Sequence, residues 1–542
     1  PIAVRRICIA SLGLFLLASC IREEKPTTLD IPLGSAELHT IFQGLYDAAQ
    51  LPPRGRTPPV PLVIVPHHLT AAVTIAAGIQ SVQPEKPSSV LLLSPDHFDA
   101  CPTLLCTGNI RFQSTFGTTE PDAGVLNVLR ASPLVSEQSA MFRREHGMHA
   151  IVPFIAHLNH GTRVTPLTIA IRPDWKAQRE ALLALIRRAM EQNVTLVISS
   201  DFSHYLPLRE ADAEDEKTAK VLFSRDFDGI ARLENPAQSD CPACLWLAAK
   251  IADARNAYNP SILLHTNSAR LLQEESSPST TSHFSIAFYE NAALSSEDAA
   301  FAGDVTLSRA TSGSLLNPPQ GVRAFWAGTG PRIVNLEGPL QERCLPQANE
   351  YIFCNPLSLW KQLHPLATHW GIENNHKLDQ GERGYKQIRE LIEREGEIPL
   401  SEDGILVDGI RIFALTNVMN PVSEEEGDLA GQYRRVIQTL RRGSGSALPQ
   451  VIFVHAGTEY QALPSEEEQK YLRSFVDNGA MAVIAAHSHA PSGMEMYKGA
   501  PIFHGLGNFV FDQHDRAETS TAKVVRLRPE TSGVSFETLV AR

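Results

Sequence analysis

Along most of this chain, short aliphatic runs end in a histidine, an aspartate or a glutamate, with helical stretches between them. In the first half the runs are "LVIVPHH" (62–68), "SSVLLLSPDHF" (88–98), "RVTPLTIAI" (163–171) and "VTLVISSDFSHY" (194–205). Stretches such as "AQREALLALIRRAMEQN" (177–193) carry the apolar spacing of an amphipathic helix. Strand–helix alternation with continuous rather than alternating hydrophobicity predicts an α/β architecture and a largely parallel, buried sheet. The second half repeats the logic with "PRIVNLEGP", "GIRIFALTN", "PQVIFVHAG", "MAVIAAHSH" and "PIFHGLGNFVF". A chain of 542 residues is too long for one core. The Ser/Glu/Asp-rich segment in "YENAALSSEDAAFAGDV" (289–305) is the natural boundary between two α/β domains.

The formal net charge of −12 argues against a nucleic-acid partner, because phosphate binding needs a basic face. At the N-terminus, Arg5-Arg6 precede an apolar run, Ile7 to Ala18, too short to span a bilayer and laid out like a signal peptide (1–19). Leu17-Ala18-Ser19-Cys20 resembles the bacterial lipobox, which implies acylation of Cys20, with residues 20–30 as a polar tether. Ile21 after the lipidated cysteine favours outer-membrane sorting. The expectation is a lipid-anchored protein of the bacterial envelope, facing the periplasm, with the membrane as a partner. The six cysteines after Cys20 fall into three close pairs, Cys101/Cys106, Cys241/Cys244 and Cys344/Cys354. In an oxidising compartment these read first as disulfides.

Ligands collect at the carboxyl ends of strands in open α/β sheets. In the first half His67, His68, His97, Asp201 and His204 stand there, and Glu145-His146 precede a helical stretch. "PHH", "SPDHF", "EHGMHAIVPF" (145–154) and "SSDFSHY" (199–205) resemble the Memo-like family, also called AmmeMemoRadiSam system protein B, over residues 30–292. The resemblance implies a fold similar to the extradiol dioxygenases and a His/His/Cys metal pocket that suits iron or copper. Carried over by motif, His67 and His97 are metal ligands, and Asp201 and His204 line the pocket as its catalytic candidates. The third ligand is a cysteine opening a later helix. In "DCPACLW" that is Cys241, with Cys244 the alternative, and a Cys241–Cys244 disulfide would remove the thiolate.

In the second half Asp304, Glu337, Asn375, His455, His487 and His489 follow one another at the ends of successive strands or in the loops after them. Hard oxygens with imidazoles and a carboxylate able to bridge are the donor set of a two-metal site. "NLE", "NNH…D.G…G" and "LGNFVFD" (506–512) resemble the bacterial capsule synthesis PGA_cap family over residues 297–542. "HAGTEY" and "AAHSH" stand where that family has HWGxEY and GHHPH. The resemblance implies a calcineurin-like metallophosphatase-type α/β sandwich holding two divalent ions of the Mn, Zn or Fe type. It also implies His376 as general acid and an anionic capsule polymer, such as poly-γ-glutamate, as substrate or partner. Two functions stay open: a metal-dependent hydrolase in polymer synthesis or processing, or a non-catalytic module that binds the polymer or tethers it for export.

Overall fold

The computed structural model describes residues 26–31, 58–82, 89–158, 161–191, 193–308, 317–342, 344, 351–420, 428–443, 448–513, 516–530 and 533–542. The signal-like segment and Cys20 lie outside them. Among the described residues no helix is long and apolar enough to cross a membrane.

The first half is three-layered. Leu62–Val65, Val194–Ser199, Ser89–Asp96 and Arg163–Ala170 lie side by side in that order, all parallel. Every residue of Leu62–Val65 and of Ser89–Asp96 is buried, as continuous apolar runs covered on both faces require. Successive side chains point to opposite faces. Val63 and Val65 share one core with Ile75 and Ile79 of the helix Ala72–Ser81, whereas Leu62 and Ile64 share another with Ile186 and Leu245 of the helices Trp175–Ala189 and Pro242–Ala254. Antiparallel strands Thr280–Phe288 and Pro260–Asn267 extend the sheet on one side and Leu105–Thr107 on the other.

The second half has two sheets face to face. One carries Ile410–Thr416, Gln450–Ala456, Ala482–His487 and Ala500–Phe503, all parallel. The other carries Ile398–Leu400, His369–Gly371, Arg332–Leu336 and Ala299–Val305, also parallel, with Ala522–Glu530 and Gly533–Ala541 added antiparallel. Phe301, Ile333 and Leu400 of one sheet pack on Ile412, Phe453 and Ile484 of the other, and the Phe301 and Phe453 rings meet edge to face at 5.9 Å. Helices cover the outer faces. Glu466–Asp477 begins where the Ser465 hydroxyl accepts the Glu468 N–H at 3.2 Å, and three glutamates in its first turn oppose the positive end of its dipole.

The mixed α/β reading of both halves holds. What the sequence patterns did not announce is their union. Met494–Tyr497 is antiparallel to Ala500–Phe503 and meets Pro260–Asn267 through Ser261 and Met494, so one 15-stranded sheet runs through both halves. All three cysteine pairs are disulfide-bonded, Cys101–Cys106, Cys241–Cys244 and Cys344–Cys354.

Lys523 is buried, and its Nζ donates to the Ser492 carbonyl. Burial alone drives its ammonium from the usual 10.5 down to about 7. Between those two pH values the unfolded chain holds a proton that the folded chain has released. The lysine's contribution to stability therefore rises with pH across that window and is lost as pH falls through 7. Lys523→Met is expected to stabilise the protein on the order of 2–4 kcal/mol at neutral pH. The gain should shrink toward the alkaline end of the window, as urea unfolding at several pH values would show.

Candidate metal centres

The second-half ligands gather at the carboxyl ends of strands from both facing sheets. Asp304, in Ala299–Val305, is fully buried. Its Oδ1 accepts the Asn335 amide at 2.8 Å and its Oδ2 accepts the His487 N–H at 3.0 Å. The chain can approach so closely because Gly303 has no side chain. A Cβ there would lie 1.8 Å from the Gly507 carbonyl, and Gly507 itself sits at φ +71°. That carbonyl accepts the Asp304 N–H at 3.1 Å.

Asp304, Glu337 and His455 bring ligand atoms within 4.8 Å of one another, and so do Glu459, His487 and His489. Asp304 touches both groups: its Oδ1 is 3.8 Å from His455 Nδ1 and its Oδ2 is 3.4 Å from His489 Nδ1. Asn375 joins through its Oδ1, which accepts from His455 Nε2 at 2.8 Å. The neighbouring Asn374 is turned inward, donating to the Leu336 carbonyl at 2.7 Å. Asn508 Oδ1 accepts from His489 Nδ1 at 2.9 Å, leaving Nε2 of that ring as the outward nitrogen. His487 Nδ1 is buried without a hydrogen-bond partner. His487 and His489 sit at φ +103° and +55°, an uncommon backbone for residues with a side chain, of the kind that collects at functional sites.

Burial, reinforced by the neighbouring imidazoles of His487, His489 and His376, holds His455 well below the usual histidine range. Burial and His489 lower His487 to about 3. Burial also works against a charge on His489, yet the carboxylates of Glu337 and Asp304 outweigh it and raise that ring to about 9. Carboxylates and imidazoles crowded together in a dry site are the donor set that divalent ions satisfy.

His376 belongs to neither group. Its Nδ1 is 2.8 Å from Asp379 Oδ2, and its ring lies flat on Phe353 at 3.8 Å. Asn420 donates to the other Asp379 oxygen at 2.9 Å. Asp379 falls within the quoted pattern and Glu459 within "HAGTEY", but nothing in their spacing alone assigns them a role.

In the first half His67 follows Leu62–Val65, His97 follows Ser89–Asp96 and Asp201 follows Val194–Ser199, at the carboxyl ends of three neighbouring strands. The ligand atoms of His67, His97 and His146 lie within 4.8 Å of one another, as do those of His67, His68 and Asp201, and those of Asp201, His204 and Asp240. His67 Nε2 is 3.2 Å from Asp201 Oδ2 and 3.4 Å from Asp240 Oδ2. His97 Nε2 is 3.7 Å from Asp240 Oδ2. Although burial opposes its charge, Asp240 and Glu145 raise His97 to about 9. Burial, with the charge of His97 beside it, lowers His146 to about 4. Asp201 is held well below the usual carboxylate range, since His67 and His283 outweigh its burial.

The cysteine ligand expected here is corrected by the structure. Cys241 Sγ is bonded to Cys244 Sγ and accepts the Cys244 N–H at 3.3 Å, so its sulfur is no thiolate. The same bond disposes of the alternative, Cys244. The residue before Cys241, Asp240, faces the histidines instead, a place that no motif in the sequence assigned to it. His283 is a second residue the motifs leave out. Its one signal is a polar residue opening the apolar "HFSIAFYE", and its Nδ1 donates to Asp201 Oδ1 at 2.8 Å.

Residues 34–270 match the family Memo-like protein, and residues 414–513 match the family Bacterial capsule synthesis protein PGA_cap. A MEMO1 family protein of Caldivirga maquilingensis is 25% identical over 174 residues, 31% of this chain and 61% of its own. Capsule biosynthesis protein CapA of Bacillus anthracis is 29% identical over 162 residues, 26% of this chain and 39% of its own. PGA biosynthesis protein CapA of Bacillus subtilis is 40% identical over 63 residues, 12% of this chain and 17% of its own. The chain thus spans less than two thirds of the length of each of these relatives. By these matches it is a fusion of an N-terminal Memo-like domain with a C-terminal PGA_cap domain.

Proposed function

We propose that the C-terminal half is a metal-dependent hydrolase acting in the synthesis or processing of a capsule polymer of the poly-γ-glutamate type. The chain would be held at the envelope by lipid on Cys20, with the Memo-like half as a second metal module. The observation that carries this reading is the pair of adjoining ligand groups sharing Asp304 between two facing sheets. That layout supports a calcineurin-like sandwich for the C-terminal half. The parallel strands with histidines at their carboxyl ends are compatible with an extradiol-dioxygenase-like fold for the N-terminal half.

Asp304, Glu337, Asn375 and His455 would hold one divalent ion; Glu459, His487 and His489 would hold a second, with Asp304 in reach of both. Such a pair of ions, when bound, lowers the pKa of water and polarises a phosphoryl or carbonyl oxygen. The chain's own part is positional and protonic. Asp379 accepts the Nδ1 hydrogen of His376 and stabilises that ring when charged, so Nε2 is the atom that delivers a proton to a leaving group. Phe353 keeps the ring plane in place.

The test is an assay of the full chain, loaded with manganese or zinc, on phosphomonoester, phosphodiester and γ-glutamyl substrates. Metal-dependent turnover of one class is expected. Full occupancy with no hydrolysis of any would favour a polymer-holding module, and a folded protein that binds no metal in this half would end both readings. For the anchor, Cys20→Ala is expected to move the protein from the membrane to the soluble periplasmic fraction. A variant that remains membrane-bound with its signal removed would refute lipidation.

A further inference from the structure

In the N-terminal cluster, imidazole ring nitrogens are set against buried carboxylate oxygens. Ser199 Oγ donates its one hydrogen to the Gly147 carbonyl at 2.8 Å, so toward His67 Nδ1, 3.1 Å away, it accepts. His67 therefore carries its hydrogen on Nδ1 and presents a lone pair at Nε2. The same tautomer is imposed on His97, whose Nδ1 is 2.5 Å from Glu145 Oε1. Its Nε2 is buried and has no hydrogen-bond partner. Both Nε2 atoms face Asp240 Oδ2, at 3.4 and 3.7 Å, and His67 Nε2 also faces Asp201 Oδ2 at 3.2 Å. Asp201 is fully buried, and that oxygen accepts no hydrogen bond. Lone pairs set against carboxylate oxygens at such distances repel unless protons or a metal cation lie among them.

We propose that His67, His97 and Asp240 bind one divalent ion of the Fe(II), Mn(II) or Zn(II) class, with the Asp240 carboxylate in the place expected for a cysteine thiolate. Two hydrogen bonds fix that carboxylate: Oδ1 accepts the Ser200 hydroxyl at 2.7 Å and Oδ2 accepts the Asp201 N–H at 3.2 Å. Glu145 and Ser199 orient the two imidazoles in the manner of outer-shell partners of metal-bound histidines. The Cys241–Cys244 bond keeps the soft sulfur donor out of the set. Two imidazoles and a carboxylate suit iron, manganese or zinc, whereas a thiolate would favour Cu(I). A cavity of about 460 Å³, lined by Ile31, Leu69 and His146 among others, adjoins His67. This centre is separate from the C-terminal one and does not depend on its activity.

The experiment uses the full chain, disulfides intact, carrying His455→Ala, His487→Ala and His489→Ala to disable both ligand groups of the other centre. After chelation it is titrated with Co(II), read optically, and with Zn(II), read by calorimetry and metal analysis. One ion per chain is expected beyond any taken up by a His67→Ala version, with no sulfur-to-cobalt charge-transfer absorption. The near-isosteric Asp240→Asn should weaken binding by at least about 100-fold, the upper end of what even outer-shell changes cost. The pair Cys241→Ser and Cys244→Ser should leave affinity within a few-fold. A thiolate charge-transfer band, or Asp240→Asn binding as well as its parent, would overturn the assignment. So would equal uptake with and without His67, which would leave the cluster held together by protons alone. The spectrum of the unaltered site decides the matter even if the serine variant fails to fold.

Discussion

A full-length His487→Ala or His489→Ala variant is expected to lose bound metal and hydrolysis together. His487 closes the strand Ala482–His487, and its own N–H is tied to Asp304 Oδ2, so its ring is delivered to the site by the sheet itself. His489 is turned by Asn508, and both rings are buried beside Asp304. Within its group, removing either imidazole leaves Glu459 and one histidine, too few protein donors for tight binding. Metal content should fall by about one ion per chain, and turnover by on the order of 10² or more, since the ion's charge stabilisation is lost with it. Alanine adopts positive φ less readily than histidine, so a thermal melt must separate loss of fold from loss of metal. Metal analysis, turnover and a thermal melt on one preparation would check this. Turnover at the parent level in a variant stripped of metal would reject a metal-dependent mechanism.

His376→Ala should behave in the opposite way. Its ring is held by Asp379 and Phe353 and stands outside both ligand groups, so the ions should stay while turnover falls by on the order of 10²–10⁴. The loss should depend on the leaving group. An activated nitrophenolate departs without help, whereas an alkoxide or amine needs the proton, so the variant should be much worse on the second kind. Asp379→Asn leaves an amide that can still meet Nδ1 but no negative charge to steady the imidazolium. It should produce a smaller loss than His376→Ala. Equal losses on every leaving group would assign His376 to positioning rather than proton transfer.

Much of both candidate sites was legible because the strands are short and buried on both faces. A run such as "LVIVPHH" or "VIAAHSH" has to stop where its polar residues begin, and in a parallel sheet those stops share one edge. His67, His97, Asp201, Asp304, His455 and His487 could be placed by that local rule alone, and closeness paired the cysteines, although the motif reading puts Cys241 on a metal. The supporting contacts of Asn335 with Asp304 and of Asn508 with His489 emerge only from the fold.

Tertiary structure decided what local periodicity does not encode. Asp240 and Cys241 are adjacent, and only the docking of the helix Pro242–Ala254, with its disulfide, turns the carboxylate rather than the sulfur toward His67. His283 reaches Asp201 across 82 residues of chain, from the side of a strand rather than its end. Asp379 acquires a role only when Phe353 and Asn420 close around His376. The joining of the halves into one sheet rests on a pairing between Ser261 and Met494, residues that no pattern in either half relates. Burial along a strand is written in its own side chains, whereas the partner of a side chain depends on which distant segment the packed core brings beside it.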